Sequence, residues 1–333
     1  MASVNDILFS FREHLKVLNR SPATLKSYAE NTKFFLDTTG GDVRAITRKT
    51  IENYIATLYE HRTGEGKPYS AGTISVKIRS IKRFFEYLEK ANIVFINPAE
   101  FIREPKKVRG IPKNILTPAE ARAILDQPNL GTLSGIRDRA ILELFYSTGI
   151  RLEELCSLTI YDADLQGGLV RINNGKGKKD RVVPMGKHAV RFLREYVTKV
   201  RPQLTKKNRT ERRLFIDRTG KPLSKKMVSL NIKACSRGAN TGKHVTAHTF
   251  RHTFASGLIK NGADIVAVQK MLGHAVLKAT EVYLRALGID LKAAHKKSHP
   301  REKEKEESAS AKPALERIMP HDEHRAKPGR DKH

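Results

Sequence analysis

The sequence predicts a mainly α chain with one small antiparallel β-sheet, divided into an N-terminal helical domain and a second, mixed domain. Three observations carry this reading. Apolar residues recur every three or four positions through about the first hundred residues, which is the helical period. Short apolar runs replace that period at Leu169 to Ile172 and at Arg181 to Pro184. They flank the Gly- and Lys-rich turn NNGKGKKD and so read as a hairpin. Between the two regions, REPKKVRGIPKN (Arg103 to Asn114) combines two prolines, a glycine and an excess of cations, the composition of a linker. The expected division is residues 1–102, helical domain; 103–115, basic linker; 116–298, second domain; 299–333, tail.

Each element has a local reason. Residues 4 to 18 place Ile7, Leu8, Phe11, Leu15 and Leu18 at helical spacing. Ser21 then Pro22 is an N-cap followed by proline at the first helical position, and Leu25, Tyr28, Thr32, Phe35 and Leu36 share the face that follows. Thr47 opens a third helix with Ile51, Tyr54, Ile55 and Leu58 inward, and Ser70 a fourth with Ile74, Ile78, Ile81, Phe85 and Leu88. The other face of that fourth helix carries Lys77, Arg79, Lys82 and Arg83 with no acid before Glu86, a pattern suited either to solvent or to a phosphate backbone. In the second domain Thr117 and Glu120 form a capping box with Pro118 between them. A helix from Ile136 to about Thr148 stops at Gly149, and Arg151 opens RLEELCSL. After the hairpin come helices from Lys187 to Val200 and from Ser224 to about Ala239, with a strand-like LFID between them. A helix from about Thr246 to Gly262 sets His248 and Arg251 at i and i+3 on one face, beside an apolar strip of Phe250 and Phe254. Ile265 to Leu272 is a further short helix ended by Gly273, after which His274 stands nine residues before Tyr283.

Composition restricts the partners. Lys and Arg number 63 against 35 Asp and Glu, a net charge of +28 and a pI near 10.1. Such a field points to a polyanion bound through phosphate contacts that weaken as salt rises. The tail from Ser298 holds nine Lys/Arg and eight Asp/Glu, so the excess belongs to the region before it; with few large apolar residues the tail is expected to be disordered. No run approaches the ~18 apolar residues of a membrane span, and MASVNDILFSFREHLK has charges where a signal peptide is apolar. The expectation is a soluble cytoplasmic protein. Cys156 and Cys235 belong to no metal-type pair, which argues against disulfides and cysteine zinc sites. His244, His248 and His252 have metal-compatible helical spacing, but no carboxylate or cysteine completes a set and Arg251 brings a cation among them.

The stretch Ala247 to Ala286 gathers groups suited to phosphoryl transfer. Tyrosine is a possible covalent nucleophile, arginine a bidentate clamp for phosphate oxygens, and histidine a proton acceptor or donor near neutral pH. With STGIRLEEL around Arg151, GKGKKDRVVP around Lys176, AHTFRHTFAS around His248 and Arg251, LGH at His274 and ATEVYLRA around Tyr283, the sequence resembles the tyrosine recombinases, or phage integrase family, over roughly residues 3 to 298. Its end, LKAAHKKSHPRE, is similar to Xer-type members.

The resemblance implies an N-terminal core-binding domain and a tyrosine-recombinase catalytic domain. It further implies that Tyr283 attacks a DNA phosphodiester to form a 3′-phosphotyrosine bond, with Arg151, Arg251 and His274 on the phosphate, His248 as proton acceptor and Lys176 as general acid. Spacing alone does not separate Lys176 from Lys178 and Lys179; the resemblance selects Lys176. Glu154 matches an acidic position of the family and is either an orienting group or an exposed helix acid. Because each step exchanges one phosphodiester for another, no nucleotide or metal cofactor is implied, in keeping with GANTGKH being one spacer short of a P-loop. The implied partner is double-stranded DNA, bound by a homotetramer on two sites, with accessory DNA-bending proteins as possible helpers and the nucleoid as location. Lys77, Arg79, Lys82, Arg83 and the linker's Lys106 and Lys107 are the candidate phosphate contacts, the linker allowing two halves to close round a duplex. The competing readings are a strand-swivelling topoisomerase, which shares the chemistry, and a DNA-binding protein that does not cut.

Overall fold

The computed structural model describes residues 3–105, 114–173 and 180–273, and the chain falls into two compact units, residues 1–109 and 110–333. Lys106, Lys107, Lys176, His274, Tyr283 and the tail lie outside the described residues.

The first unit is a helical cluster of α1 (Val4–Val17), α2 (Pro22–Thr39), α3 (Arg48–Glu60) and α4 (Ala71–Lys90). Ser3, Ser21, Thr47 and Ser70 each accept a hydrogen bond from a first-turn backbone N–H, so every start is fixed by a side chain that supplies a missing acceptor. Phe11, Phe35, Ile51, Leu58, Phe84, Phe85 and Leu88 form the floor of the core. Phe84 widens the expected stripe of α4: its ring meets Phe11 edge-on at 5.2 Å. Leu18, expected inward, is 46% exposed because α1 ends at Val17 and the backbone turns there.

The second unit is built on α6 (Leu133–Thr148) and α11 (Ala247–Lys260), whose Phe145 and Phe250 rings stack at 6.3 Å within the main core. Around them lie α5 (Pro118–Leu125), α7 (Leu152–Ser157), α8 (Lys187–Glu195), α9 (Arg201–Leu204), α10 (Lys225–Gly238) and α12 (Ile265–Leu272). The start of α6 precedes the expected Ile136, since Thr132 caps Gly135. The hairpin strands β2 (Leu169–Ile172) and β3 (Arg181–Pro184) pair in antiparallel register with Val170 opposite Val183, both buried. A third strand, β1 (Ala163–Asp164), pairs with β2; two residues are too few for a period to reveal.

Two expectations change. LFID does not join the sheet: Leu214, Phe215 and Ile216 are buried as a core segment, held by isolated bridges Thr159 to Arg213 and Ile216 to Pro222. The Tyr196 hydroxyl donates to Leu214 O and accepts from Ile216 N, which replaces the ladder bonds that a strand would have had. The helix expected from Lys187 to Val200 becomes α8 and then a π-helical turn, Tyr196–Val200, that hands the chain to Pro202 in α9. Proline has no N–H to return to the preceding turn, so the tighter ladder cannot continue.

Candidate active site

The site is assembled at the C-terminal end of α12. The last carbonyls of a helix have no partner within it and carry the negative end of its dipole. Three arginines take these carbonyls up. Arg251, on α11, donates to Leu272 O at 2.6 Å and to Gly149 O at 2.8 Å. Arg151, at the N-cap of α7, donates to Gly273 O at 3.2 Å. Arg181, the first residue of β3, donates through Nε to Met271 O at 2.7 Å. Gly273 ends α12 in the left-handed region at φ +62°, and Gly149 ends α6 at φ +58°. A Cβ on Gly149 would stand 2.5 Å from the Phe254 ring, so glycine there serves both the turn and the close approach of α11.

Glu154 joins the arginines. It is 6% exposed; Oε1 accepts from Arg151 at 2.7 Å and Oε2 from the Arg151 backbone N–H at 2.8 Å. Arg181 grips the same carboxylate with both terminal nitrogens, at 3.0 and 2.7 Å. Burial raises the Glu154 pKa, but the hydrogen bonds from Arg181 and Arg151 and the Arg181 charge outweigh it and hold the group at about 2. Of the two readings of Glu154, the exposed helix acid is removed and the orienting group remains.

His248 sits on the first turn of α11, open to solvent on one side. Desolvation by surrounding protein, then the charges of Arg251 and Arg151, hold its imidazole below the ordinary 6.5, so the neutral form able to accept a proton is favoured. His252 lies 6.4 Å away, ring to ring, and is lowered by burial and then by His248 and Arg251. Among the described residues no group of His, Cys, Asp and Glu has the geometry of a metal site. A groove of about 540 Å³ opens beside Arg151 and His248, lined by Lys225, Lys226, Lys233 and His244.

Thus Arg151, His248 and Arg251 are brought together, whereas Lys176, His274 and Tyr283 fall outside the described residues. Their neighbours fix where the chain leaves and returns: Gly273 precedes His274, and Arg181 follows the turn that carries Lys176. Sequence reasoning did not single out Arg181. It stands in a run of cations, KGKKDR, and nothing in spacing marks which of them turns inward; its start of a strand with the pattern of β3 was the one available signal.

The α4 cations are placed differently from a bare face. Lys77 lies over the Phe34 ring at 4.6 Å and the Tyr69 ring at 5.2 Å, and burial lowers its pKa. Arg79 pairs with Glu104 at 2.5 Å, and Arg83 with Glu86 at 2.6 Å. Lys82 donates to the carbonyls of Glu100 and Ile102. Glu104, on the far side of a loop from α4, is the acid that a local scan along the helix does not see.

Comparison with known proteins agrees along the chain. The profile described as "Phage integrase family" matches residues 114–288, and that of "Phage integrase, N-terminal SAM-like domain" residues 7–93. Tyrosine recombinase XerC 2 of Ralstonia nicotianae is 36% identical over 266 residues, which cover 80% of this chain and 76% of the relative. Tyrosine recombinase XerC of Thermodesulfovibrio yellowstonii is 34% identical over 313 residues, 92% of this chain and all of the relative. In fold, the chain is similar to the XerH site-specific recombinase crystallised on its palindromic difH substrate, with TM-score 0.68 at 20% identity, covering 91% of this chain and 86% of that one. It is similar as well to lambda integrase bound to a core site, with TM-score 0.64 at 19% identity, covering 84% and 97%. A profile that spans more than half of the residues, and relatives at 34 and 36% identity along most of the length, show that the chain belongs to the phage integrase family, the tyrosine recombinases.

Proposed function

We propose that this chain is a site-specific DNA recombinase that cuts and rejoins double-stranded DNA through Tyr283. The Tyr283 oxygen attacks the scissile phosphorus, the bond from phosphorus to the 5′-oxygen breaks, and a 3′-phosphotyrosine link remains. The phenol proton passes to His248 and Lys176 gives a proton to the departing 5′-oxygen. Arg151 and Arg251 take the non-bridging oxygens as charge builds, with His274 adding a hydrogen bond. Attack by a 5′-hydroxyl of the partner duplex reverses the step and completes strand exchange. The observation that carries this reading is the convergence of Arg151 and Arg251 on Gly273 and Leu272, immediately before His274.

A homotetramer on two duplexes is the assembly that strand exchange requires, with DNA-bending proteins as accessories, and the work belongs to the nucleoid in the cytoplasm. The groove with Lys225, Lys226 and Lys233 offers the strand beside the scissile phosphate a cationic wall. Lys106 and Lys107 would add phosphate contacts from the linker. Lys77, Arg79, Lys82 and Arg83 reach DNA only by exchanging some of their present partners.

The test begins with selection of bound sequences from a random duplex library, followed by incubation of the full chain with a nicked duplex bearing the selected site. A covalent adduct that Tyr283→Phe abolishes is expected. Binding without an adduct would leave a non-cutting DNA-binding protein; an adduct with relaxation but no strand exchange would favour a topoisomerase.

A further inference from the structure

The two arginines assigned to the phosphate do not keep their charge equally. Arg251 is bound to two backbone carbonyls, which orient a guanidinium without neutralising it. Arg151 is bound to a buried carboxylate, Glu154. An ion pair in a site closed to water is a strong interaction, and it leaves little net charge for a third group. If Glu154 answered to Arg151 alone, the pair would be neutral and the phosphate would meet one uncompensated arginine.

The second guanidinium on Glu154 alters that sum. Arg181 reaches both carboxylate oxygens, its side chain is 9% exposed, and its Nε is spent on Met271 O. It faces no solvent from which a phosphate could come. Arg151, at 20%, is the more open of the two. Three guanidiniums and one carboxylate therefore carry a net of two positive charges, of which Arg181 supplies one that never touches substrate. A phosphodiester gains negative charge as the fifth oxygen adds, from one toward two, and that is the charge the cluster matches.

We propose that Arg181 is a positioning residue of the recombinase reaction: by taking up the charge of Glu154 it leaves Arg151 cationic, and by tying Glu154 to Met271 O it fixes Arg151 at the end of α12. Arg181 also begins β3, directly after the turn that carries Lys176, so the same side chain joins the hairpin to the phosphate site. This rests on the function proposed above.

The test is single-turnover adduct formation by the full chain on the nicked duplex, with the scissile group either the native phosphate or a methylphosphonate, which lacks one negative charge. Arg181→Met is expected to slow cleavage of the native substrate by about 100-fold, the scale of a small displacement of a phosphate ligand, with DNA affinity unchanged. Arg181→Lys recovers part of the rate. On the methylphosphonate the loss shrinks, because less charge has to be met, and Glu154→Gln added to Arg181→Met restores much of the rate on the native substrate by removing the carboxylate that neutralises Arg151. Equal losses on the two substrates with no rescue by Glu154→Gln would mean that Arg181 only supports the fold, and would overturn the proposal, as would a wild-type rate in Arg181→Met. No adduct from the wild-type chain overturns this inference together with the proposed function, whereas an indifferent Arg181 in an active enzyme overturns this inference alone.

Discussion

Acidification should unfasten the site at Glu154 before it unfolds the rest. In the folded chain this carboxyl is held at about 2, against an ordinary value of 4.5. A depressed acid contributes stability that is fully present above 4.5 and is lost as pH falls toward 2. Between pH 6 and pH 3 the unfolded state takes up the proton and the folded state hardly does, which amounts to about 2 kcal/mol. Glu154→Gln cannot titrate and lacks this contribution at every pH. It also leaves Arg151 and Arg181 facing a neutral amide, so the variant should be the less stable at pH 6, with the two stabilities converging by pH 3. The measurement is urea unfolding by circular dichroism at several pH values in both proteins, other carboxylates cancelling in the difference. With a urea dependence of about 1–3 kcal/mol per molar, the gap between midpoints should narrow by on the order of 1 M. A gap that stays constant from pH 6 to pH 3 would refute the ion-pair account, since a merely packed Glu154 has no reason to follow pH.

Other outcomes follow from the same geometry. Arg251→Lys and Arg151→Lys should each lower the rate of adduct formation by about 10²–10³-fold with DNA affinity retained, read by single-turnover kinetics beside a binding titration. The acid limb of the cleavage rate should lie below pH 6.5, because a base with a lowered pKa stays neutral to lower pH; a limb above 6.5 in a pH–rate profile would exclude His248 as the acceptor. Gly149→Ala should destabilise by on the order of 3 kcal/mol, from a left-handed backbone and a Cβ driven into Phe254, as a fall in thermal midpoint. Lys82→Met should cost about 2 kcal/mol through the two carbonyls it abandons and leave the salt dependence of DNA binding unchanged, which a titration over ionic strength would check.

What was legible in the sequence was local. Caps such as Ser21, Thr47 and Thr117 act within one turn of themselves, and the starts of α2, α3 and α5 could be read from them. The hairpin strands were legible because an apolar run bounded by a Gly- and Lys-rich turn has few other readings. Long-range pairings left no mark of that kind. Glu104 reaches Arg79 from 25 residues away and Arg181 reaches Glu154 from 27, and neither distance has a period. LFID was misread for the same reason: strand and buried core segment share a composition, and only the tertiary partner, here Tyr196, decides between them. In the candidate site His248 and Arg251 were legible as a helix face, and Arg151 as a residue at a helix start. That all three would meet at the end of α12 was not.

The choice of acceptors at that end explains why the site works with so few acids. Gly149, Met271, Leu272 and Gly273 present four carbonyls to three arginines, and a carbonyl dipole can hold a guanidinium in direction while leaving its charge in place. Carboxylates would hold it more firmly and cancel it. A site meant to meet a phosphate should therefore orient its arginines with backbone wherever it can, and the terminal carbonyls of a helix, which need donors in any case, are the cheapest supply. Glu154 is the one departure from this rule within the cluster, and it is also the one acceptor to which two arginines are bound. The second arginine is what the departure requires. On this view Arg181 and Glu154 form a neutral strut between β3 and α7, against which Arg151 is held with its charge intact, and the order in which substitutions should harm cleavage follows: removing Arg181 alone leaves an uncompensated acid beside the phosphate and should be worse than removing Arg181 and the Glu154 charge together.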